Sequence, residues 1–227
     1  MQSTGYEVLF AGNNFLRLCL GLWVTLRIAL IAMGLSVGLG TLLGLMMSTS
    51  NKIIKAAGGI YLEVVRIMPQ LVLLFLVYFG AAKHLGMNLS GESAAVIVFT
   101  FWGTAEMGDL VRSAMAAVPG HQYDSGYGLG MKPVQVYLYI ILPQTVRRLL
   151  PSVISLLTRM IKTTSLVALI GVVEVVKVGK QVIDAFRYTS PDAALWVYGA
   201  VFIMYFLICY PFSQLSKHLE QTFGQGG

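Results

Sequence analysis

Charge is what this 227-residue sequence lacks. Asp, Glu, Lys and Arg together make up 11% of it, against about a quarter in an average soluble domain. A soluble chain of this length buries a sizeable core without giving up so much charge. Apolar residues reach 56% and the mean hydropathy is well above zero, so lipid is the expected solvent. Cysteine is scarce as well. Cys19 and Cys209 have no CxxC partner and no His at metal-ligand spacing, which leaves two buried thiols acting as small apolar residues as the expectation. No paired His and no nucleophile constellation occurs, so no catalytic or metal-binding residue is assigned and a membrane enzyme is disfavoured. No G-x-x-x-x-G-K-[ST] run occurs, so this chain is not expected to hydrolyse ATP alone. The net charge of +6 is modest and its basic residues are scattered among apolar runs. That pattern argues against nucleic acid and for contact with anionic lipid headgroups.

What the sequence has is apolar length. A spanning helix needs about 20 mostly apolar residues. Five stretches meet that need, at about 22–47, 59–82, 94–118, 149–173 and 193–215. They are read as one permease-like domain over 1–227, with no internal repeat. The stretch from Gly5 to Gly21 has no basic start and no small-residue cleavage site, so it is expected to belong to the mature protein. Five spans put the termini on opposite sides. The loop cations divide six against five between the two faces, so the positive-inside rule barely decides which is which.

Outside the spans, Glu174, Lys177, Gln181, Asp184 and Arg187 recur at steps of three and four, with Val175, Val176, Val182, Ile183 and Phe186 between them. That spacing predicts a short amphipathic helix with one polar stripe, lying at a membrane surface or over a cavity mouth.

Charges also lie inside or at the edges of the spans: Glu63, Arg66, Glu106, Asp109, Arg112, Arg159 and Lys162. A charge at the bilayer centre costs at least ~2.5 kcal/mol on insertion scales, so these residues imply a bundle interior, a partner charge or water. Glu63 and Arg66, and Asp109 and Arg112, are spaced to pair along one helix face, or to snorkel from helix ends. Lys162-Thr163-Thr164-Ser165 forms a polar quartet between apolar runs, as a water-lined path or a helix interface would. Pro69 interrupts the second span and Pro151 lies at the start of the fourth, where broken helices line cavities or kink for packing.

The loop from Pro119 to Pro143 reads as helix, turn, helix. Asp124 is expected in a first helical turn, Gly130 at a left-handed stop, Pro133 at the opening of the next helix and Pro143 at its end. Gly126, Gly128 and Gly130 leave one side without bulk for another backbone to approach. Ser125-Gly126-Tyr127-Gly128 echoes part of a potassium filter, but the preceding Thr-Val and an apolar pore helix are missing.

This loop resembles that of permease subunits of bacterial ABC importers, whose pattern is E-A-A-x-x-x-G, nine residues, then I-x-L-P. Here Asp124-Ser125-Gly126, Gly130 and Ile140-Ile141-Leu142-Pro143 keep the whole spacing, with charge and small side chains conserved in kind. The polar amino-acid branch is resembled further along the chain. Leu20-Gly21 with Thr25-Leu26 is similar to its first-span opening. Glu63-Val-Val-Arg66-Ile-Met-Pro69 is similar to E-x-x-R-G-T-P, Ala105 to Arg112 to A-Y-x-x-E-x-x-R, and Lys162 to Leu166 to K-D-T-S-L.

The resemblance implies an all-α membrane protein, type I ABC importer permease-like, with five transmembrane helices and a cytoplasmic coupling helix-turn-helix. It implies that Gln122, Asp124, Ser125, Gly126, Gly130, Ile140, Leu142 and Pro143 serve coupling to an ATPase. Arg66, Pro69, Asp109, Arg112, Lys162, Thr163, Thr164 and Ser165 are the expected substrate pathway. The implied partners are a cytoplasmic ATP-binding subunit dimer carrying ATP and Mg, a second permease subunit (identical or homologous), an extracytoplasmic amino-acid-binding protein, and lipid. The expected location is the bacterial inner membrane, N-terminus outside and C-terminus cytoplasmic. The cargo is a polar amino acid, with glutamine favoured. The alternative is a secondary transporter driven by an ion gradient, which broken, charged helices also suit; five spans without a repeat argue against it.

Overall fold

The computed structural model describes residues 5–86 and 88–224, and among them every regular element is helical. In chain order these are α1 (Glu7–Phe10), α2 (Asn14–Met47), α3 (Lys52–Ile67), α4 (Gln70–Leu85), α5 (Gly91–Ala116), α6 (Gly120–Gly128) and α7 (Pro133–Val136). A π-turn (Tyr137–Ile141), α8 (Leu142–Thr163), a 3-10 segment (Thr164–Ile170), α9 (Val175–Ala185) and α10 (Ala193–Gly224) follow. Four runs are long and apolar enough to cross a membrane: Asn14–Met47, Gly91–Ala116, Pro133–Ile170 and Ala193–Phe223. The bent pair α3–α4 makes a fifth when counted as one span.

The break between α3 and α4 follows from Pro69. A residue before proline is pushed out of the helical region, and Met68 is extended at φ −70, ψ 128. Its N–H closes α3 on the Val64 carbonyl at 3.1 Å, and the Pro69 carbonyl opens α4 by accepting from Leu73 N–H at 3.1 Å.

Pro143 does the opposite of what its position predicts. Helical backbone runs straight through it into α8. An α-helical proline ring clashes with the carbonyl four residues back. Here the π-turn widens the helix just before it, with Leu142 N–H donating to the Tyr137 carbonyl, five residues back. At the far end the helix tightens into the 3-10 segment and stops at Gly171, whose φ of +89 only glycine adopts freely.

The chain divides into two compact units. One comprises the chain up to Ala32, Pro69–Phe99 and Arg159–Pro211. Its core gathers Leu18, Val175, Val178, Val182, Val197 and Val201. Gly21 lets α2 lie directly on the first turn of α9: a Cβ there would stand 2.9 Å from Val175 N. Asn14 Nδ2 donates to the Val8 carbonyl at 2.9 Å, which folds α1 back on the start of α2. The Cys19 thiol is exposed, not buried, because it lies about 100° round the helix from the fully buried Leu18. Cys209 is half-buried.

The other unit comprises Met33–Met68, Thr100–Thr158 and the chain from Phe212. Its centre is a seam of small residues between α2 and α5. Ser36 Oγ donates to the Thr100 carbonyl at 3.4 Å. One turn on, a Cβ at Gly40 would lie 3.0 Å from the Thr104 carbonyl oxygen; another turn on, a Cβ at Gly44 would lie 2.7 Å from that of Gly108. Small residues at four-residue steps let two membrane helices touch backbone to backbone.

Candidate functional site

In the second unit a charge cluster bridges α3 and α5. Arg66 Nη2 donates to Asp109 Oδ2 at 2.5 Å, and Arg66 Nε lies 3.5 Å from Glu106 Oε1. Arg112 donates to Asp109 Oδ1 through Nε at 3.1 Å and Nη2 at 2.5 Å. Tyr61 adds a neutral tie between the same helices, its hydroxyl donating to the Phe101 carbonyl at 2.6 Å. The Asp109–Arg112 pair is where the spacing placed it. The Glu63–Arg66 pair is not: Arg66 reaches across to α5, where Asp109 and Glu106 offer two carboxylates instead of one. Glu63 is exposed and forms no ion pair among the described residues.

The cluster borders a cavity of about 660 Å³. Glu63, Arg66, Asp109 and Arg112 line it together with Lys55 and, from the loop after α5, Tyr123 and Tyr137. Three residues of the expected pathway, Arg66, Asp109 and Arg112, therefore share one cavity with two tyrosines of the loop, whereas Pro69 and Lys162 to Ser165 belong to the other unit and do not line it.

That loop is built as helix, turn, helix. Pro119 caps α6, so Asp124 sits past the first turn and stands exposed. Gly130 takes the left-handed stop at φ +76, and Met131 N–H returns to the Gly126 carbonyl at 3.1 Å. Pro133 opens α7, with Lys132 N–H held by Gln135 Oε1 at 2.8 Å. A small core of Val118, Val136 and Ile141 holds the two arms, and Ile140 packs against it. Gly126 is not left for a partner. A Cβ there would meet Val136 Cγ2 at 2.8 Å, so the returning arm occupies that space, while Gly128 faces open space. Gln122 Oε1 accepts from Gln144 Nε2 at 3.3 Å, and Arg148 Nη1 ties α8 to the Ala117 carbonyl at 2.5 Å. Ser125, Leu142 and Pro143 are exposed. Around them the loop presents apolar side chains outward: Leu129 is 80% exposed, Tyr139 71% and Val134 67%. Tyr123 and Tyr137 meet edge to face at 5.8 Å, and burial, then Tyr137, pushes the Tyr123 phenol above its ordinary value.

Lys162 to Ser165 belong to the other unit. Their hydroxyls turn back on their own helix: Thr163 Oγ1 donates to the Arg159 carbonyl at 2.9 Å, Thr164 Oγ1 to that of Ile161 at 2.6 Å, and Ser165 Oγ to that of Lys162 at 2.9 Å. The quartet marks where the α-helix becomes 3-10, and Lys162 is exposed.

In the same unit Glu174 departs from the expected polar stripe. It is fully buried and caps α9, accepting from Val176 N–H at 3.0 Å, Lys177 N–H at 2.8 Å and Thr25 Oγ1 at 3.3 Å. Burial pushes its carboxyl above the usual range, and the backbone donors pull it partly back. Asp184 and Arg187 keep the exposed stripe, Lys177 and Gln181 are half-buried, and Arg17 Nη2 donates to Gln181 Oε1 at 2.7 Å.

Sequence reasoning missed the Arg27–Glu92 ion pair, the second carboxylate at Glu106 and the tyrosines at the cavity. Arg27, a cation within the first apolar run, was the available signal for the first of these.

Within one unit, then, a proline-bounded loop presents apolar side chains beside a charged cavity among helices long and apolar enough to cross a membrane. The chain belongs to the family of binding-protein-dependent transport system inner membrane components, whose pattern matches residues 40–225. It is 26% identical over 202 residues to the probable glutamine ABC transporter permease protein GlnP of Bacillus subtilis, covering 88% of this chain and 90% of that protein. It is 30% identical over 184 residues to the probable amino-acid ABC transporter permease protein YckA of the same organism, covering 79% and 81%. A crystal structure of an amino acid ABC transporter with histidines superposes at a TM-score of 0.81 with 27% identity, covering 91% of this chain and 94% of that one.

Proposed function

We propose that this chain is the membrane half of an ATP-driven importer for a polar amino acid, with glutamine the favoured cargo. The relatives' names support the amino-acid class. Two permease subunits enclose the path, an extracytoplasmic binding protein delivers the cargo, and ATP with Mg acts on a cytoplasmic ATPase dimer. The loop from Pro119 to Pro143 docks on that ATPase, which fixes the N-terminus outside and the C-terminus in the cytoplasm. ATP binding and hydrolysis then rock the permease between outward-open and inward-open states.

The observation that carries this reading is the shared cavity. Arg66, Asp109 and Arg112 line it with Tyr123 and Tyr137, so movement of the loop and rearrangement of the ion pairs act on one space. Exposed Leu129, Val134 and Tyr139 supply apolar docking area beside Asp124. Pro69 gives the α3–α4 pair its break, and in the other unit exposed Lys162 offers a further polar group.

Reconstitution tests the proposal. Liposomes carrying the permease, its ATPase and binding protein should take up labelled glutamine only with ATP inside. Uptake driven by an ion gradient without ATPase would overturn it.

A further inference from the structure

We propose that Glu63 is the acceptor for the α-ammonium group of the cargo, and that the cavity it lines is a subsite for a zwitterionic α-amino acid. This rests on the importer reading above and adds the chemistry that reads the cargo.

Glu63 lies one helical turn from Arg66, its natural ion-pair partner. Asp109 and Glu106 hold that guanidinium instead. The result is a carboxylate with no ion pair among the described residues, on a helix of the apolar α3–α4 pair, opening on a cavity. Acids in such helices pair with a cation or face water. Lys55 lines the same cavity, but it stands two turns away on α3, about 12 Å along the axis. Glu63 therefore faces the water of the cavity, where a cation from outside the chain can reach it.

The guanidiniums supply the other half. Arg66 and Arg112 bond Asp109 and Glu106 through Nε and Nη2. A guanidinium has five N–H donors, so the Nη1 side of each is left to meet a carboxylate. Cation acceptor and anion donors then stand about one helical turn apart, a spacing that suits the two charged ends of an α-amino acid. Net charge selects the class further. Lys55, Arg66 and Arg112 balance Glu63, Glu106 and Asp109, so a zwitterion enters without upsetting the sum, whereas a simple cation or anion does not. The volume of about 660 Å³ holds an amino acid with water.

The test uses the permease–ATPase complex in lipid nanodiscs without binding protein. Equilibrium binding of labelled glutamine is compared with that of N-acetylglutamine, which lacks the ammonium group. Wild type should prefer glutamine by about tenfold or more, the scale of one charge-assisted hydrogen bond. Glu63→Gln should lose that preference by weakening glutamine alone, and Glu63→Asp should restore part of it. Co-purification of the ATPase reports that each variant is folded. A preference unchanged in Glu63→Gln, or no glutamine binding by wild type, overturns the assignment. In liposomes with binding protein, ATP-driven uptake by Glu63→Gln that survives with its preference intact sinks only the role of Glu63. Absence of ATP-driven uptake of any amino acid by wild type sinks the importer reading itself.

Discussion

Two carboxylates in this chain lie among apolar helices, and the chain satisfies them by opposite means. Asp109 is held by two guanidiniums whose side chains are 46% and 44% exposed beside a cavity. Glu174 is sealed among neutral donors: two backbone N–H groups, the Thr25 hydroxyl and the nearby Tyr205 phenol. Ion pairs next to water exchange partners at little cost, because water covers whichever charge is released. A sealed carboxylate has no such freedom, since losing a donor leaves a buried polar group unmet. The ionic site is thus built to rearrange and the sealed one to stay.

The largest effect should come from Asp109→Asn. It leaves two guanidiniums short of a charge, with Glu106 beside Arg66. ATP-driven uptake should fall by about tenfold or more while the ATPase subunit still co-purifies. Loss of the ATPase together with uptake would show that the cluster is scaffold after all.

Next in size is the α2–α5 seam, where small residues bring the two backbones together. Gly44→Val drives a side chain into the Gly108 carbonyl and should cost about 1–3 kcal/mol in unfolding experiments, whereas Gly34→Ala, which faces open space, should cost almost nothing. Equal costs at both would dissolve the claim that α5 is pinned to α2. The loop offers a matched pair of its own. Gly126→Val meets Val136 and should weaken co-purification of the ATPase severalfold, while Gly128→Ala should leave it unchanged.

The smallest effect belongs to the sealed site and shows in pH. Burial raises the Glu174 carboxyl, so the folded state holds that proton more tightly than the unfolded state. Stability is therefore full below the ordinary carboxyl range and declines as pH rises from there through the raised value. Glu174→Gln should flatten that decline in thermal unfolding while uptake stays near wild type. Glu174→Ala, which removes the cap, should cost about 1–2 kcal/mol at low pH, and less as pH rises through the raised value.

Much of this was legible in the sequence for a physical reason. Apolar length declares a membrane helix residue by residue, so the crossing runs were visible without knowing what packs on what. Turn chemistry is equally local, which is why Gly130 and Pro133 stand where they were expected. Choices between partners were not legible. Arg66 could meet Glu63 on its own helix or Asp109 on another, and only the approach of α5 decides. Glu174 has the spacing of an exposed stripe, and the close approach of α2 to the start of α9 at Gly21 helps put it out of reach of water. Pro143 misled for the same reason: whether a proline ends a helix depends on the turn before it, and a widened turn leaves no trace in composition.

That widened turn has a mechanical meaning. A loop joined to a spanning helix by a flexible link would absorb a push as local bending. Here α7, the π-turn and α8 form one continuous strut from Pro133 to Thr158 within one unit. Anything that shifts the loop must shift the strut with it, as a crank turns its shaft.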